Sequence, residues 1–284
     1  MGTFKTIGVI GSGVMGAGIV QTCIQSGYDT IMSGRNTESI YRATSNIKAG
    51  LSKMVERGKM SQAESEQALA RIDPVVGFDS LGKCDIVIEA VVEDLEVKKD
   101  LFRKLDKLCP AKTILASDTA TLPIIEIAKA TNRPEKVLGL HILIPAPLSK
   151  MVEMVRSEVS SEETLGKAKE FCESLGKIVV TCADSPGFII NRLLAPYLLE
   201  AVRLVEQNVA SKEDIDACMQ LGTGYPMGPL RLLDNVGLDQ FHDLASSLCT
   251  LLKDKKFEPP ALLTQMVTDG RLGRKSGHGF YDWK

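Results

Sequence analysis

Residues 6–16 read TIGVIGSGVMG, and this stretch decides how the first half of the chain folds. TIGVI is a short apolar run with β-branched residues, which is typical of a buried strand. Three glycines follow it as G-x-G-x-x-G and lead into a segment with helical periodicity. Such glycines allow a tight turn and close backbone approach, so a pyrophosphate can rest on the helix N-terminus. The motif predicts a dinucleotide site with contacts at Gly11, Gly13, Val14, Met15 and Gly16.

Outward from this motif, strand-like and helix-like segments alternate. A charged helical stretch at about 37–72, interrupted at Gly58, predicts two helices inserted after the second strand. Alternating strands and helices predict right-handed crossovers and a mostly parallel sheet. The further strands are predicted at 28–32, 86–91, 113–117, 137–142 and 177–181, and two further helices at 95–107 and 123–131.

The pattern changes after ADSPGF, residues 183–188, a turn-forming stretch beyond which every long segment has helical periodicity. We therefore predict an α/β protein with two domains. The first, 1–184, is a Rossmann-type, mostly parallel sheet domain that binds the dinucleotide. The second, 185–284, is all-helical.

Composition excludes several classes of protein. Lysine and arginine together number 34 against 36 acidic residues, so there is no broad basic surface for nucleic acid. The 7 cysteines form neither a CxxC nor a Cys/His pair at metal spacing, which favours free thiols over disulfides or a metal site. We see no leader and no apolar run long enough for a membrane span. These features predict a cytoplasmic protein, or a mitochondrial one whose transit peptide has been removed.

The segment MSGRN, residues 32–36, bears on the choice between NAD and NADP. An NAD site usually ends its second strand with an acidic residue for the ribose 2′-hydroxyl, but Gly34 stands at that position. Arg35 follows and suits a 2′-phosphate, with Ser33 and Asn36 as further donors. We predict a preference for NADP. The alternative is that Arg35 packs over the adenine and NAD still binds.

His141 is one of only 3 histidines and closes the apolar run VLGLHI. Ligands of open α/β sheets bind beyond the carboxyl ends of the strands, where this histidine lies. An imidazole there can take a proton from an alcohol, and Glu153 can orient it if the intervening loop turns back. The alternative is a structural histidine. His242 and His278 have no carboxylate partner suggested by spacing, and we assign them no role.

Seven segments carry a resemblance to a known family, and they read GSGVMGAGI, IVIEAVVEDLEVKKDLF, TILASDTATL, GLHILIPAPLSKMVEMV, DSPGFIINRLL, ASKEDIDACMQLGTGYPMGPLRLLD and GRKSGHGFYDW. Through them, nearly the whole chain resembles the short-chain L-3-hydroxyacyl-CoA dehydrogenases, 3-hydroxybutyryl-CoA dehydrogenase included. The resemblance implies hydride exchange between a 3-hydroxyacyl thioester and a nicotinamide cofactor, and a homodimer formed by the helical domain.

The resemblance also implies roles for individual residues. It makes His141 and Glu153 the catalytic pair and puts Asn191 near the substrate carbonyl. Glu93 and Lys98 match cofactor contacts. The remaining matches are coenzyme A contacts at Ser52 and Lys59 and a ligand-contacting position, assigned here to the cofactor, at Lys275.

The chain departs from the family at the substrate. Where the family reads SNTSSL this chain reads SDTATL, so Ala120 replaces a serine that would bind the 3-oxygen and Asp118 replaces an asparagine. Where the family reads HFFNP this chain reads HILIP, which puts Ile144 in place of an asparagine. Loss of one oxyanion donor costs roughly 10²–10³ in rate. Three hypotheses remain: a 3-hydroxyacyl-CoA dehydrogenase, a dehydrogenase for another 3-hydroxy substrate such as a carrier-protein thioester, and a catalytically weakened dinucleotide-binding homologue.

Overall fold

The computed structural model describes residues 4–283 and divides into two compact units. The first ends at Asp184 and the second begins at Ser185. No helix in the described range is long and apolar enough to cross a membrane. The strands of the first unit are β1 (Thr6–Ile10), β2 (Asp29–Gly34), β3 (Ile72–Val76), β4 (Ile86–Glu89), β5 (Ile114–Ser117), β6 (Val137–Ile142), β7 (Met151–Arg156) and β8 (Ile178–Ala183). Its helices are α1 (Val14–Gln25), α2 (Thr37–Glu56), α3 (Gln62–Leu69), α4 (Leu95–Leu108), α5 (Ile124–Ala128) and α6 (Glu162–Ser174).

The eight strands form one sheet in the order β3-β2-β1-β4-β5-β6-β7-β8. The first six are parallel to one another, which brings their carboxyl ends to one edge of the sheet. β7 then pairs antiparallel with β6, and β8 pairs parallel with β7. The six parallel strands have the order of a dinucleotide-binding fold, so the predicted Rossmann-type, mostly parallel architecture is confirmed.

Two strands were absent from the sequence prediction. β3 lies at the edge of the sheet and contains Pro74, which reads as a strand breaker although edge strands tolerate proline. Its presence shortens the predicted helical insertion, because α3 ends at Leu69 and residue 72 already belongs to β3. β7 was not predicted as a strand, although it is the strand that brings Glu153 to β6.

The core of the first unit forms where α1 packs against the sheet. Ile19, Val20 and Ile24 of α1 are at most 1% exposed and cluster with Ile7 and Val9 of β1. Truncating such an isoleucine to alanine costs about 2–5 kcal/mol, since it removes buried area and leaves a cavity. This packing holds the N-terminus of α1 at the carboxyl edge of β1.

The second unit is a bundle of helices closed by the C-terminal segment. Gly237, with φ of +100°, separates two helices that would otherwise be continuous in the chain. The buried carboxylate of Asp234 accepts the Phe280 and Tyr281 amides, each at 2.8 Å, and so fastens the C-terminal segment. The helices are α7 (Ile190–Glu206), α8 (Lys212–Thr223), α9 (Pro229–Val236), α10 (Leu238–Leu252) and α11 (Ala261–Thr268).

Candidate active site

The glycine loop between β1 and α1 is too tight for side chains at two of its positions. Gly11 has φ of +120°, and a Cβ there would lie 2.3 Å from the Ala90 carbonyl oxygen. A Cβ on Gly16 would lie 1.8 Å from the Gly11 carbonyl oxygen. Within residues 4–283 no side chain caps the first turn of α1, so its amides remain for a ligand. The loop therefore fits a pyrophosphate, and Val14 beside it is 75% exposed.

A cleft of about 790 Å³ opens beside this loop, a size that suits a nucleotide. Its walls include the turn after β2, the segment after β4 and one face of α4. The basic side chains that line it are Arg35, Arg42 and Lys104, and one acid, Asp100, lines it as well. Arg42 was not singled out from the sequence, although it lies on α2 within two turns of Arg35.

Among residues 33–36, at the end of β2 and just beyond it, Arg35 is the one whose side chain makes no hydrogen bond within the described part of the chain. It is exposed and lines the cleft. Ser33 Oγ donates to the Gly77 carbonyl at 2.7 Å, and Asn36 Oδ1 accepts the Ser39 amide at 2.8 Å to cap α2. Gly34 is closely packed, because a Cβ there would lie 2.5 Å from Ile40 Cγ1.

His141 and Glu153 are brought together by strand pairing. The two residues stand directly opposite each other in the antiparallel β6–β7 pair, and His141 Nδ1 lies 2.6 Å from Glu153 Oε2. Glu153 is fully buried and the histidine side chain is 8% exposed. With the carboxylate as acceptor, Nδ1 carries the proton and Nε2 is the basic nitrogen of the neutral ring. This arrangement suits a general acid and base.

A buried lysine supports the loop between these two strands. Lys177 Nζ donates to the Ala146 and Ser149 carbonyl oxygens, each at 2.6 Å. Burial lowers the pKa of this ammonium. Because the loop connects β6 to β7, these bonds help to fix the return that aligns the histidine with the glutamate. Apart from a lysine at the start of a predicted strand, nothing in the sequence pointed to this contact.

A second group of charged side chains lies at the ends of β4 and β5, and we call Glu89, Glu93, Lys98 and Asp118 the polar cluster. Lys98 Nζ lies 2.5 Å from Glu89 Oε1, and both side chains are fully buried. Glu89 Oε1 also accepts the Val91 amide at 2.7 Å. Lys98 Nζ lies 3.6 Å from Glu93 Oε2. The predicted cofactor contact Lys98 is thus foremost the partner of Glu89.

The other two members of the polar cluster brace the segments after β5 and β6. Glu93 Oε1 accepts the Thr119 hydroxyl at 2.6 Å and the amides of Ala120 and Thr121 at 3.0 and 2.9 Å. Asp118 Oδ1 accepts the Ile142 amide at 2.8 Å, next in the chain to His141. The polar cluster therefore connects the carboxyl ends of three neighbouring strands.

Comparison with known protein families agrees with this geometry. Residues 6–185 match the family model described as 3-hydroxyacyl-CoA dehydrogenase, NAD binding domain, and residues 187–283 match the C-terminal domain of the same family. The chain belongs to the 3-hydroxyacyl-CoA dehydrogenase family. Membership makes the protein an oxidoreductase that uses a nicotinamide cofactor.

Relatives from this family cover nearly the whole chain. A 3-hydroxybutyryl-CoA dehydrogenase from Clostridioides difficile is 41% identical over 98% of this chain and 99% of its own length. A 3-hydroxyadipyl-CoA dehydrogenase from Escherichia coli is also 41% identical, over 99% of this chain and 59% of its own length. The crystal structure of FadB2 from M. tuberculosis has a TM-score of 0.97 and 39% identity, and the match covers 99% of each chain.

The positions at which this 3-hydroxyacyl-CoA dehydrogenase homologue departs from the family motifs differ in exposure. Ile144 is 61% exposed and presents an apolar side chain in the loop after β6. Ala120 is half-buried, and its amide is held by Glu93. The hydroxyls of Thr119 and Thr121 both donate to Glu93 Oε1, at 2.6 and 3.0 Å, so these flanking threonines are already engaged.

The remaining family-matched residues are distributed over both units. Ser52 and Lys59 are exposed in the α2–α3 hairpin of the first unit. Asn191 lies in the first turn of α7, in the second unit. Lys275, also in the second unit, has its Nζ 2.6 Å from the Asp239 carboxylate.

The other two histidines do have carboxylate neighbours, so the sequence reading was wrong on that point. His278 Nδ1 is hydrogen bonded to the Asp282 carboxylate, four residues further on. His242 Nδ1 lies 3.7 Å from the Asp243 carboxylate, and its Nε2 is 3.2 Å from Thr264 Oγ1. The carboxylates of these two pairs are at least 85% exposed, unlike the buried Glu153.

Proposed function

We propose that this protein is an NADP-preferring dehydrogenase that interconverts 3-hydroxyacyl and 3-oxoacyl thioesters, with 3-hydroxybutyryl-CoA as the model substrate. The observation that carries the proposal is the buried pair of His141 and Glu153, which belongs to the same sheet as the glycine loop that borders a cleft suited to a dinucleotide. The names of the relatives indicate the class of substrate. The sequence departures leave the acid-base pair intact.

In the proposed mechanism, His141 handles the proton. A nicotinamide bound here would supply the hydride acceptor for the substrate C3, or the hydride donor in the reverse direction. His141 Nε2 takes the proton of the 3-hydroxyl as the alcohol is oxidised and returns it in the reverse direction. Glu153 accepts from Nδ1–H throughout, which fixes the tautomer and stabilises the imidazolium. Asn191 is the proposed contact of the substrate carbonyl.

The preference for NADP rests on the residues that follow β2. Arg35 is exposed and uncommitted, and Arg42 lines the same cleft. No acid precedes Arg35, and packing against Ile40 opposes one at Gly34. A guanidinium can bind a 2′-phosphate through two hydrogen bonds. The remaining proposed cofactor contacts are Gly11, Gly13, Val14, Met15, Gly16, Ser33, Asn36, Glu93, Lys98 and Lys275.

The direct test is oxidation of NADPH and of NADH with acetoacetyl-CoA as oxidant. We expect turnover with both cofactors and a higher kcat/KM with NADPH. Absence of turnover in a folded protein that binds nucleotide would reject acetoacetyl-CoA as a substrate. A higher kcat/KM with NADH would reject the cofactor preference.

A second candidate keeps the chemistry and changes the substrate. The exposed apolar Ile144 and the absent hydroxyl at Ala120 favour a more apolar group than the family motif would accept. A panel of 3-oxo compounds, including carrier-protein thioesters, tests this, and a better substrate than acetoacetyl-CoA would support it. Restoring the hydroxyl with Ala120→Ser should then shift preference towards acetoacetyl-CoA. Ser52 and Lys59 remain the proposed coenzyme A contacts.

We also propose that the protein is a homodimer formed through the helical unit. Leu193 and Leu221, in α7 and α8, are 71% and 88% exposed. Exposed leucines of this kind are typical of a contact surface. Sedimentation of the wild-type chain and of a Leu193→Glu, Leu221→Glu variant tests the proposal. A wild-type monomer would contradict it.

A further inference from the structure

The polar cluster contains three carboxyl groups and one ammonium, so its charges do not balance. Glu89 has the closest approach to Lys98, at 2.5 Å, and also accepts the Ser117 hydroxyl at 2.7 Å. Glu93 is second, at 3.6 Å from Lys98, and its side chain is 36% exposed. Both glutamates are therefore compensated as carboxylates.

Asp118 is the carboxyl group of the polar cluster that forms no ion pair within the described residues. No lysine, arginine or histidine of residues 4–283 lies within ion-pairing distance of its carboxylate, and the Ile142 amide is its hydrogen-bond donor. It is half-buried at the end of β5. A carboxylate in that position is disfavoured by loss of hydration and by two neighbouring acids. Asp118 is therefore the carboxyl group of the polar cluster on which protonation is most favourable.

The position of Asp118 relates it to the proposed cofactor site. β5 is the second strand from β1 in the sheet, so Asp118 lies about 10 Å across the carboxyl edge from the glycine loop. Arg35 lies on the opposite side of that loop, at the end of β2. A dinucleotide with its adenosine at Arg35 and its pyrophosphate on the loop extends its nicotinamide towards β4 and β5.

We propose that Asp118 is held as a neutral carboxylic acid at neutral pH, and that its ionisation shifts binding from the reduced to the oxidised cofactor. The proposal rests on the proposed function only for the identity of the cofactor. The oxidised nicotinamide ring carries a positive charge and the reduced ring does not. An ionised Asp118 would therefore attract the oxidised form, whereas the neutral acid does not distinguish the two by charge.

The electrostatic environment of Asp118 supports this assignment. Burial, together with the charges of Glu89 and Glu93, raises the pKa of Asp118 well above its ordinary value, while the Ile142 amide and Lys98 oppose the rise. The charged groups around Asp118 are Glu89 from β4, Glu93 from the following loop and Lys98 from α4, and β6 contributes His141 as the next residue to Ile142.

The first experiment measures dissociation constants of NADP⁺ and NADPH from about pH 6 to pH 10, which spans the titration of a raised carboxyl group. For the wild type, the ratio of the NADP⁺ constant to the NADPH constant should fall about 10-fold as pH rises, an effect expected for one charge at an effective dielectric constant near 20. In Asp118→Asn the ratio should lack this fall. His141 remains in both proteins, so the difference isolates Asp118.

Asp184→Asn is the matched control. Burial raises the pKa of Asp184 as well, and its carboxylate accepts the Ile124 and Ile125 amides. β8 runs antiparallel to β5, so Asp184 lies at the opposite edge of the sheet. In Asp184→Asn the ratio of the NADP⁺ constant to the NADPH constant should fall with rising pH as it does in the wild type. A wild-type ratio that is flat with pH, or an equal fall in Asp118→Asn, would overturn the proposal.

A measurement of stability needs no cofactor. Because the folded pKa of Asp118 is raised, the folded state binds more protons than the unfolded state between the unfolded value of about 3.9 and the folded pKa. Wild-type Tm should therefore fall relative to that of Asp118→Asn as pH rises through this window, and the difference between the two Tm values should stay constant below it. The infrared carbonyl stretch of a protonated acid should be present in the wild type at neutral pH and missing from Asp118→Asn.

These measurements separate the proposal from the proposed function. None uses an acyl thioester, so absence of turnover leaves them unchanged. If NADP⁺ and NADPH both fail to bind, the proposed function falls, and the infrared and Tm measurements still decide the charge of Asp118. Intact binding with no protonated-acid band at neutral pH would overturn the assignment of the proton alone.

Discussion

Just beyond β2, Arg35 and the α2 residue Arg42 are exposed and independent of each other. At the ends of β5 and β6, by contrast, the side chains of Asp118 and His141 belong to hydrogen-bonded, largely buried groups. Exposed charges contribute to affinity and are added or removed with little effect on the fold. Buried charges depend on their partners, because the penalty for an unpaired one is large. The two ends of the site should therefore respond differently to mutation.

Removing the imidazole should have the largest effect on catalysis. We expect His141→Ala to lower kcat about 10²–10⁴-fold, because proton transfer by a positioned base contributes about that much. The dissociation constant of NADPH should stay within about threefold, since the exposed end of the site is unchanged. Stopped-flow measurement of NADPH oxidation checks the first value and fluorescence titration the second. A loss in kcat below about 10-fold would show that another group carries the proton.

Removing Lys98 should have the largest effect on stability. Lys98→Met leaves Glu89 buried without its cation, so the free energy of unfolding should fall by about 3–5 kcal/mol. Lys99→Met is the matched control on the same helix, because Lys99 contacts the half-exposed Glu126 at 3.3 Å and should cost at most about 1 kcal/mol. Urea denaturation measures both.

The double variant Lys98→Met, Glu89→Gln sharpens this test. It removes both charges, so it should recover part of the stability lost in Lys98→Met. Equal losses in Lys98→Met and Lys99→Met would break the distinction between buried and exposed charge in this molecule.

Removing the Arg35 side chain tests the exposed end of the proposed cofactor site, next to β2. Arg35→Ala should weaken NADPH binding about 10–100-fold, because charge-assisted hydrogen bonds contribute about 1.5–3 kcal/mol. NADH binding should change less than about threefold, since it lacks the 2′-phosphate. Titration with both cofactors checks the outcome. Equal weakening of both would indicate that Arg35 packs over the adenine instead.

The smallest effect is expected at Arg42. Its exposed side chain lines the cleft from the next part of α2, so Arg42→Ala should weaken NADPH binding about twofold to fivefold. Arg57→Ala, beyond the C-terminal end of the same helix, serves as the control and should leave binding unchanged. If Arg42→Ala exceeds Arg35→Ala in effect, the assignment of the phosphate contact must move to Arg42.

The sequence predicted the features that rest on local pattern. The glycine motif and the apolar strands β1, β4, β5 and β6 follow from periodicity or spacing, whereas the pairing of Glu153 with His141 was implied by the family resemblance. β3 was missed because Pro74 interrupts a half-exposed edge strand, whose pairing depends on a neighbour rather than on its own residues. β7 was missed because its role is defined by pairing with β6.

Only part of the polar cluster could be predicted from the sequence. Glu93 and Lys98 were singled out by motif, but their partners, Glu89 and the segment after β5, lie on neighbouring strands of the sheet. An acid within the apolar run IVIEAV was a signal for a buried partner that was not used. The charge of Asp118 depends on all of these groups together, so spacing along the chain does not reveal it.

Because sheet pairing aligns the histidine with its glutamate, the connection between β6 and β7 cannot evolve freely in length. A slip of one residue would turn one of the two side chains to the other face of the sheet and separate the pair. Point replacements within this connection leave the alignment intact. New substrate ranges in this lineage should therefore arise by exchange of residues such as Ile144, and insertions should accumulate elsewhere on the surface.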